Sequence, residues 1–152
     1  MAFCRVASRS IALGSLLVAL IATSAAATVR IANDGGGRIG TYLDTYAMLR
    51  SSGETVMIDG PCLSACTLIV GLIPRERVCV TRRARLGFHA AWLPDADGRP
   101  VRNAAGTQML LQVYPNSIRR WIRRKGGLTH RMIYLRGREL TALYRRCPRP
   151  YD

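Results

Sequence analysis

The feature that most constrains this chain is the stretch IDGPCLSACTLIVG at residues 58–71. A short apolar strand-like run ends at Asp59-Gly60-Pro61, and an apolar run with helical character begins at Ser64. A strand that turns sharply into a helix is typical of α/β domains, in which helices connect the strands of a largely parallel sheet. The stretch also places Cys62 and Cys66 two residues on either side of Ser64.

The pattern of apolar residues and breaks along the rest of the chain supports an α/β fold. Strands are predicted at residues 28–33, 54–60, 77–81 and 84–92. Helices are predicted at residues 41–51, 64–72 and 138–146. A glycine-rich break lies at 34–40, a loop at 93–100, and an amphipathic helical region around 109–125 is interrupted at Pro115. We therefore expect an α/β domain with a helical C-terminal part.

The N-terminus predicts a secretory signal peptide. Arg5 and Arg9 precede an apolar run at 11–22, and the small residues at 24–27 supply a cleavage site. An uncleaved membrane anchor is the alternative, although the run is shorter than the roughly 20 residues that a membrane-spanning helix needs. Cleavage after Ala27 would divide the chain into a signal peptide at 1–27 and a single domain at 28–152, located in the periplasm or outside the cell.

Export determines how the cysteines are interpreted. Four cysteines follow the predicted cleavage site: Cys62, Cys66, Cys79 and Cys147. An even number in an oxidising compartment favours two disulfides, but the sequence does not choose among the three pairings. A zinc site formed by these thiols and one of the two histidines is the alternative, but no pair of ligands has the usual short spacing. We expect no metal and no cofactor.

The formal net charge is +14 and is almost entirely due to arginine. Arg119, Arg120, Arg123 and Arg124 surround Trp121 in a predicted amphipathic helix. This pattern favours a structural helix whose apolar face packs on the core while the arginines face water. The same helix could instead contact an anionic surface. Export makes nucleic acid an unsuitable target, so no nucleic-acid binding is expected.

Three elements would form a hydrolytic site if they met at the carboxyl ends of strands. Gly35-Gly36-Gly37 follows the first predicted strand, Ser64 opens a helix after the second, and His89 ends a later strand. A serine hydroxyl needs a base to take its proton, which His89 could do. The N–H groups of Ala65 and of the glycines could stabilise an oxyanion. Taken singly, the same features are typical of a helix cap, a turn and a core histidine.

The order of these elements resembles the ClpP/crotonase superfamily, and most closely its exported ClpP-like serine hydrolases. The resemblance rests on Gly35-Gly36 after a strand, Ser64-Ala65 at the start of a helix, and LGFHAA at 86–91 after the next strands. It covers about residues 28–92. It implies stacked ββα units and a peptide or protein substrate, and it leaves a homo-oligomer as an open alternative.

The resemblance also implies a role for each site residue. Ser64 would be the nucleophile and His89 the general base, with oxyanion donors at Ala65 and at Gly36 or its neighbour. The family's proteases add an Asp from the helical region after the histidine, but the corresponding place here, near 129–132, contains no acid.

The chain's remaining acids do not match the family's pattern. The acidic residues after His89 are Asp95, Asp97, Glu139 and Asp152. A Ser–His dyad would be slower than a triad, because nothing fixes the imidazole tautomer. The chain is therefore expected to be a serine hydrolase, favoured as a peptidase, that works with a dyad. The alternative is an inactive binding module of the same fold whose basic C-terminal helix contacts a partner.

Overall fold

The computed structural model describes residues 27–148. The predicted signal peptide, apart from Ala27, and residues 149–152 lie outside this range. No helix within it has both the length and the apolar character needed to cross a membrane. The described chain is a mixed α/β structure with three sheets, which confirms the α/β character of the predicted fold.

The described range contains nine β-strands and five α-helices. The strands are β1 (Thr28–Ile31), β2 (Thr55–Ile58), β3 (Pro61–Leu63), β4 (Val78–Val80), β5 (Arg85–Phe88), β6 (Trp92–Pro94), β7 (Pro100–Arg102), β8 (Ile133–Arg136) and β9 (Arg145–Arg146). The helices are α1 (Ile39–Ser51), α2 (Ile69–Leu72), α3 (Ala104–Val113), α4 (Asn116–Arg124) and α5 (Gly137–Thr141). Short 3₁₀ segments at Ser64–Leu68 and Arg75–Arg77 precede α2 and β4.

The three sheets differ in strand direction. The first is entirely parallel, in the order β1-β2-β4-β9. The second has the order β3-β5-β8, with β3 parallel and β8 antiparallel to the central strand β5. The third is the antiparallel hairpin β6-β7. The expectation of a largely parallel sheet therefore holds for the first sheet, whereas the second is mixed.

The strand predicted at 54–60 is β2, and a second strand that was not predicted, β3, follows it in another sheet. Gly60 separates the two, because a Cβ at this position would lie 1.8 Å from the carbonyl oxygen of Ala32. The segment after β1 runs close beside this break, and the Asp59 N–H donates to Ile31 O over 2.8 Å. The chain can therefore leave the first sheet after β2 and enter the second as β3, directly before Ser64.

The C-terminal part is less helical than predicted. The predicted loop at 93–100 contains most of the β6-β7 hairpin, and the predicted helix at 138–146 ends at Thr141. Strands β8 and β9 were not predicted. Strand β8 is only four residues long, IYLR, and β9 is only Arg145-Arg146, so neither is long enough to show a clear alternating pattern. Pairing with distant strands is what orders them.

The amphipathic helix α4 packs on the core, as the structural interpretation of its pattern required. Ile118, Trp121 and Ile122 are buried, and the Trp121 ring lies 5.6 Å from the ring of Phe88. Phe88 also meets Tyr114 edge to face, with ring centroids 5.3 Å apart. The apolar face of α4 is thus used inside the molecule, and contact with an anionic surface through its arginines stays a prediction.

Candidate active site

Ser64 lies at a strained turn between β3 and the following helical segment. Its φ is +54°, and it is the only non-glycine residue with positive φ in the described range. The left-handed conformation costs a non-glycine residue about 1–2 kcal/mol, and strain of this kind concentrates at functional sites. The cap position belongs to Leu63, and no side chain caps this helical segment. Ser64 is therefore not the helix cap that its sequence context also allowed.

Two buried hydroxyls hold the Ser64 backbone from the core side. Thr67 Oγ1 donates to the carbonyl of Ser64 over 2.6 Å, and Tyr114 OH lies 2.6 Å from the same Oγ1. Because Thr67 uses its only hydroxyl proton on Ser64, Tyr114 must donate to Thr67. Burial raises the pKa of Tyr114 to about 12, so its proton stays in place. Sequence reasoning missed both residues, since Tyr114 lies 47 positions from Thr67.

The Cys62–Cys66 disulfide closes over the same turn. Both cysteines are fully buried, one in β3 and one in the 3₁₀ segment that begins at Ser64. A second disulfide, Cys79–Cys147, ties β4 to the residue that follows β9. The two expected disulfides therefore form, and the pairing that the sequence left open is settled. The four thiols are bonded to one another, so they supply no ligands for the alternative zinc site.

The glycine-rich loop after β1 reaches Ser64 along β3. The Asp34 N–H donates to Pro61 O and the Leu63 N–H donates to Asp34 O, both over 2.8 Å. Two residues later, Gly36 lies against the turn with a φ of +83°. A Cβ at Gly36 would lie 2.6 Å from the Cβ of Ser64 and 3.0 Å from the Ala65 nitrogen. Only glycine fits there, and its position brings three of the predicted site residues into contact.

The N–H groups around this contact differ in their availability. The Gly36 N–H donates to Asp34 Oδ1 over 2.8 Å, and Tyr42 OH donates to the same oxygen over 2.6 Å. The predicted donor Gly36 is therefore engaged in this structure. The N–H groups of Gly37 and Ala65 have no hydrogen-bond partner among residues 27–148.

Gly35, the remaining predicted residue of this loop, is not packed against the turn, whereas Tyr42 is hydrogen-bonded to Asp34. Gly35 is exposed, with no atom within 4 Å of where its Cβ would be, so nothing places it at the turn. Burial raises the pKa of Tyr42 to about 12, and its hydrogen bond to Asp34 adds to the shift. Tyr42 therefore remains a donor to Asp34 at ordinary pH, and neither residue was identified from the sequence.

His89 follows β5, the strand that pairs in parallel with the strand before Ser64. In this pairing Leu63 lies opposite Gly87, so the two strands end next to each other, one just before Ser64 and the other just before His89. His89 Nδ1 lies 2.7 Å from the carbonyl oxygen of Ala90. A carbonyl only accepts, so Nδ1 donates to it; in the neutral ring Nε2 then holds the lone pair that a general base needs.

The Ser64 hydroxyl and the His89 ring are not hydrogen-bonded to each other, and Ser64 Oγ has no other hydrogen-bond partner in the described part of the chain. In enzymes without bound substrate, catalytic hydrogen bonds are often long and tighten only in the complex. The structure places Ser64 and His89 after two adjacent parallel strands, without a hydrogen bond between them.

The acids considered as a third catalytic residue are used elsewhere. Asp95 Oδ1 accepts the backbone N–H groups of Asp97 and Arg99 in the hairpin turn. Asp97 forms an ion pair with Arg99 at 3.3 Å. Glu139 pairs with Lys125 at 3.0 Å, which holds the pKa of its carboxyl below the usual value.

Within residues 27–148, therefore, no carboxylate is hydrogen-bonded to His89, and the Ala90 carbonyl orients its ring instead. Asp152, the last acid considered, lies outside the described residues.

A cleft of about 830 Å³ opens beside His89. Its walls include His89, Trp92, Arg102, Leu128, His130 and Met132. The segment at 128–132 runs beside the residues that follow β5, and the Ala90 N–H donates to Thr129 O over 2.7 Å. Ser64 does not line this cleft, and His89 is the one predicted site residue that does. Sequence reasoning missed the cleft because its walls come from segments far apart in the chain.

Comparison of this chain with protein-family models and with curated proteins found no match. In the structure, Gly36 lies against Ser64 and Ala65, and His89 directly follows β5, the strand that pairs with the strand before Ser64.

Proposed function

We propose that this protein is an exported ClpP-like serine hydrolase that cleaves peptide bonds. Ser64 is the nucleophile and His89 is the general base. The N–H groups of Ala65 and Gly37 form the oxyanion hole. The observation that carries the proposal is the left-handed backbone of Ser64, at a turn packed so closely against Gly36 that no side chain would fit at position 36. A helix cap or a simple turn needs neither feature.

The proposed reaction uses His89 twice. Ser64 Oγ attacks the carbonyl carbon of the peptide bond while its proton moves to His89 Nε2, and the carbonyl oxygen becomes an oxyanion beside the free N–H groups. The C–N bond then breaks as the leaving amine takes the proton from Nε2. A water attacks the acyl carbon and gives a proton to His89 Nε2; the ester bond to Ser64 Oγ then breaks, the acid is released, and His89 passes that proton to Ser64 Oγ.

The dyad is expected to be slow because of what orients the histidine. The Ala90 carbonyl fixes the tautomer of His89 but carries no full charge. It therefore stabilises the imidazolium that forms during attack less than a carboxylate would. A functioning but weak hydrolase is consistent with this geometry.

The course of the chain supports the ClpP-like part of the proposal. Twice the chain leaves a strand of the first sheet and enters the second: from β2 to β3, and from β4 to β5. The segment after β1 makes the same move, where Asp34 bridges to Cys62. Repeated strand pairs of this kind are what stacked ββα units require. The two disulfides support an oxidising compartment, and with it export.

A fluorophosphonate probe tests the proposal, because it reacts covalently with an activated serine. We expect the mature protein to be labelled, and labelling to be lost in Ser64→Ala and in His89→Ala. Ser51→Ala, an exposed serine at the end of α1, is the matched control and should label normally. Circular dichroism would establish that each variant is folded.

Absence of labelling in the folded protein at every pH at which it stays folded would overturn the hydrolase. The inactive binding module with exposed arginines on α4 would then be the better account.

A further inference from the structure

The cleft beside His89 has walls that suit an apolar side chain. Trp92 contributes one wall from β6, and Leu128 and Met132 contribute another from the segment before β8. Trp92 is 52% exposed, which is high for so large an apolar residue. Filling the cleft would remove this exposed apolar surface from water.

A cation without a partner stands in the same cleft. Arg102 lies directly across the hairpin from Trp92 and is exposed. Its guanidinium makes no hydrogen bond or ion pair with any residue of the described range. His130, also exposed, adds a ring N–H donor to the same cleft.

Among the residues that the structure describes, no Asp or Glu lines the cleft to balance this charge. The two acids of the same hairpin, Asp95 and Asp97, are engaged at its tip by backbone N–H groups and by Arg99. The cleft therefore combines apolar walls with an uncompensated positive charge.

We infer that this cleft binds a peptide segment that carries a carboxylate next to an apolar side chain, and that Arg102 binds the carboxylate. The inference rests on the proposed function, which makes the space beside His89 the place of the substrate. A guanidinium presents paired N–H donors that match the two oxygens of a carboxylate. The apolar side chain packs on Trp92, Leu128 and Met132.

Binding in this cleft differs from the attraction that the overall positive charge of the protein exerts on anions. A net charge of +14 attracts any anion weakly and at long range. Arg102 instead lies directly across from Trp92 in the cleft, so it can bind a carboxylate only next to an apolar wall. The carboxylate is either an Asp or Glu side chain or the C-terminus of the peptide, and both offer the same chemistry.

Binding to the Ser64→Ala protein tests the inference without any turnover. Three short acetylated peptides are compared by calorimetry: a C-terminally amidated Leu-Glu peptide, its amidated Leu-Gln analogue, and a peptide that ends in Leu with a free carboxylate. Trp92 fluorescence gives a second readout, since Trp121 is buried and supplies a constant background.

We expect at least one carboxylate peptide to bind about tenfold more tightly than the Gln analogue, which is the effect of one charge-assisted pair. The peptide that shows the preference identifies the source of the carboxylate. Arg102→Gln should abolish the preference. Arg102→Lys should keep part of it, because lysine has the positive charge but not the paired N–H donors of the guanidinium.

Arg50→Gln is the matched control. It removes the same net charge from an exposed position on α1, outside the cleft, and should leave the preference unchanged. Equal affinities for all three peptides, or an equal loss in both Gln variants, would overturn the inference. These outcomes are independent of fluorophosphonate labelling: a labelled protein without carboxylate preference contradicts only the cleft, and a preference without labelling contradicts only the hydrolase.

Discussion

The backbone of Gly36 lies so close to Ser64 that a Cβ at position 36 would stand 2.6 Å from the Cβ of Ser64 and 2.5 Å from the carbonyl oxygen of Leu63. Both residues have positive φ, +83° and +54°. The glycine loop and the serine turn are thus a single packed unit, and a change in one is transmitted to the other.

Gly36→Ala tests this contact. We expect the substitution to lower the free energy of unfolding by about 1–3 kcal/mol, because the added methyl group meets backbone that cannot move aside. Fluorophosphonate labelling should also fall, since the Ser64 turn is displaced. Urea denaturation measures the first effect and labelling rate the second.

Gly35→Ala is the control for that experiment, because nothing lies within 4 Å of a Cβ at position 35. It should leave both stability and labelling close to those of the parent. A Gly36→Ala protein as stable as Gly35→Ala would contradict the packing described here.

Ser64→Gly should stabilise the protein even though it removes the proposed nucleophile. Glycine adopts a φ of +54° without the steric cost that serine bears, and this gain exceeds its larger loss of chain entropy on folding. We expect Ser64→Gly to be about 0.5–1 kcal/mol more stable than Ser64→Ala, which keeps the strain. Thermal denaturation of the two variants measures the difference, and a less stable glycine variant would show that the turn is not strained.

The two disulfides should have separable roles. Cys79–Cys147 closes a long loop, with a sequence separation of 68, whereas Cys62–Cys66 spans only 4. By loop entropy alone, loss of the first costs about 4 kcal/mol and loss of the second about 2 kcal/mol. Paired Cys→Ala variants at each bridge, compared by urea denaturation, measure this order.

Fluorophosphonate labelling of the folded protein should rank the two variants in the opposite order, with the larger effect for Cys62–Cys66. Removing Cys62–Cys66 frees the turn at Ser64, so the labelling rate should drop by about tenfold or more. Removing Cys79–Cys147 leaves that turn intact and should change labelling little. Equal labelling in both variants would mean that the Cys62–Cys66 bridge does not position the nucleophile.

Asp59 should make the protein sensitive to acid. Its side chain is 2% exposed, accepts hydrogen bonds from Arg83, Thr81 and Arg30, and lies at the break that leads into β3. The hydrogen bonds from Arg83, followed by those from Thr81 and Arg30, hold the pKa of Asp59 well below its usual range. Because the folded-state pKa is the lower one, this stabilisation is present at neutral pH and is lost as the pH falls below about 4.

Asp59→Asn therefore should lower stability at neutral pH by about 1–3 kcal/mol and flatten its dependence on pH in the acid range. Asp44→Asn, at an exposed site on α1, is the control and should change neither. Urea denaturation across the acid range measures both quantities, and an unchanged slope in Asp59→Asn would argue against Asp59 as the titrating group.

Much of the fold, and the residues of the candidate site, could be predicted from short stretches of the sequence. The α/β class, the turn at Ser64, the glycine loop and the histidine after a later strand follow from patterns that span only a few residues. The even number of cysteines in a chain predicted to be exported indicated two disulfides. Each of these conclusions depends on neighbours along the chain.

Tertiary structure decided what depends on distant partners. Cys79 meets Cys147 because β4 pairs with β9, a strand that has no local signal of its own. Tyr114 reaches the Ser64 turn through Thr67, and Asp34 takes the Gly36 N–H and leaves Gly37 as the open donor. The register of strands and the packing of side chains are set by the whole chain at once, so no short window of residues contains them.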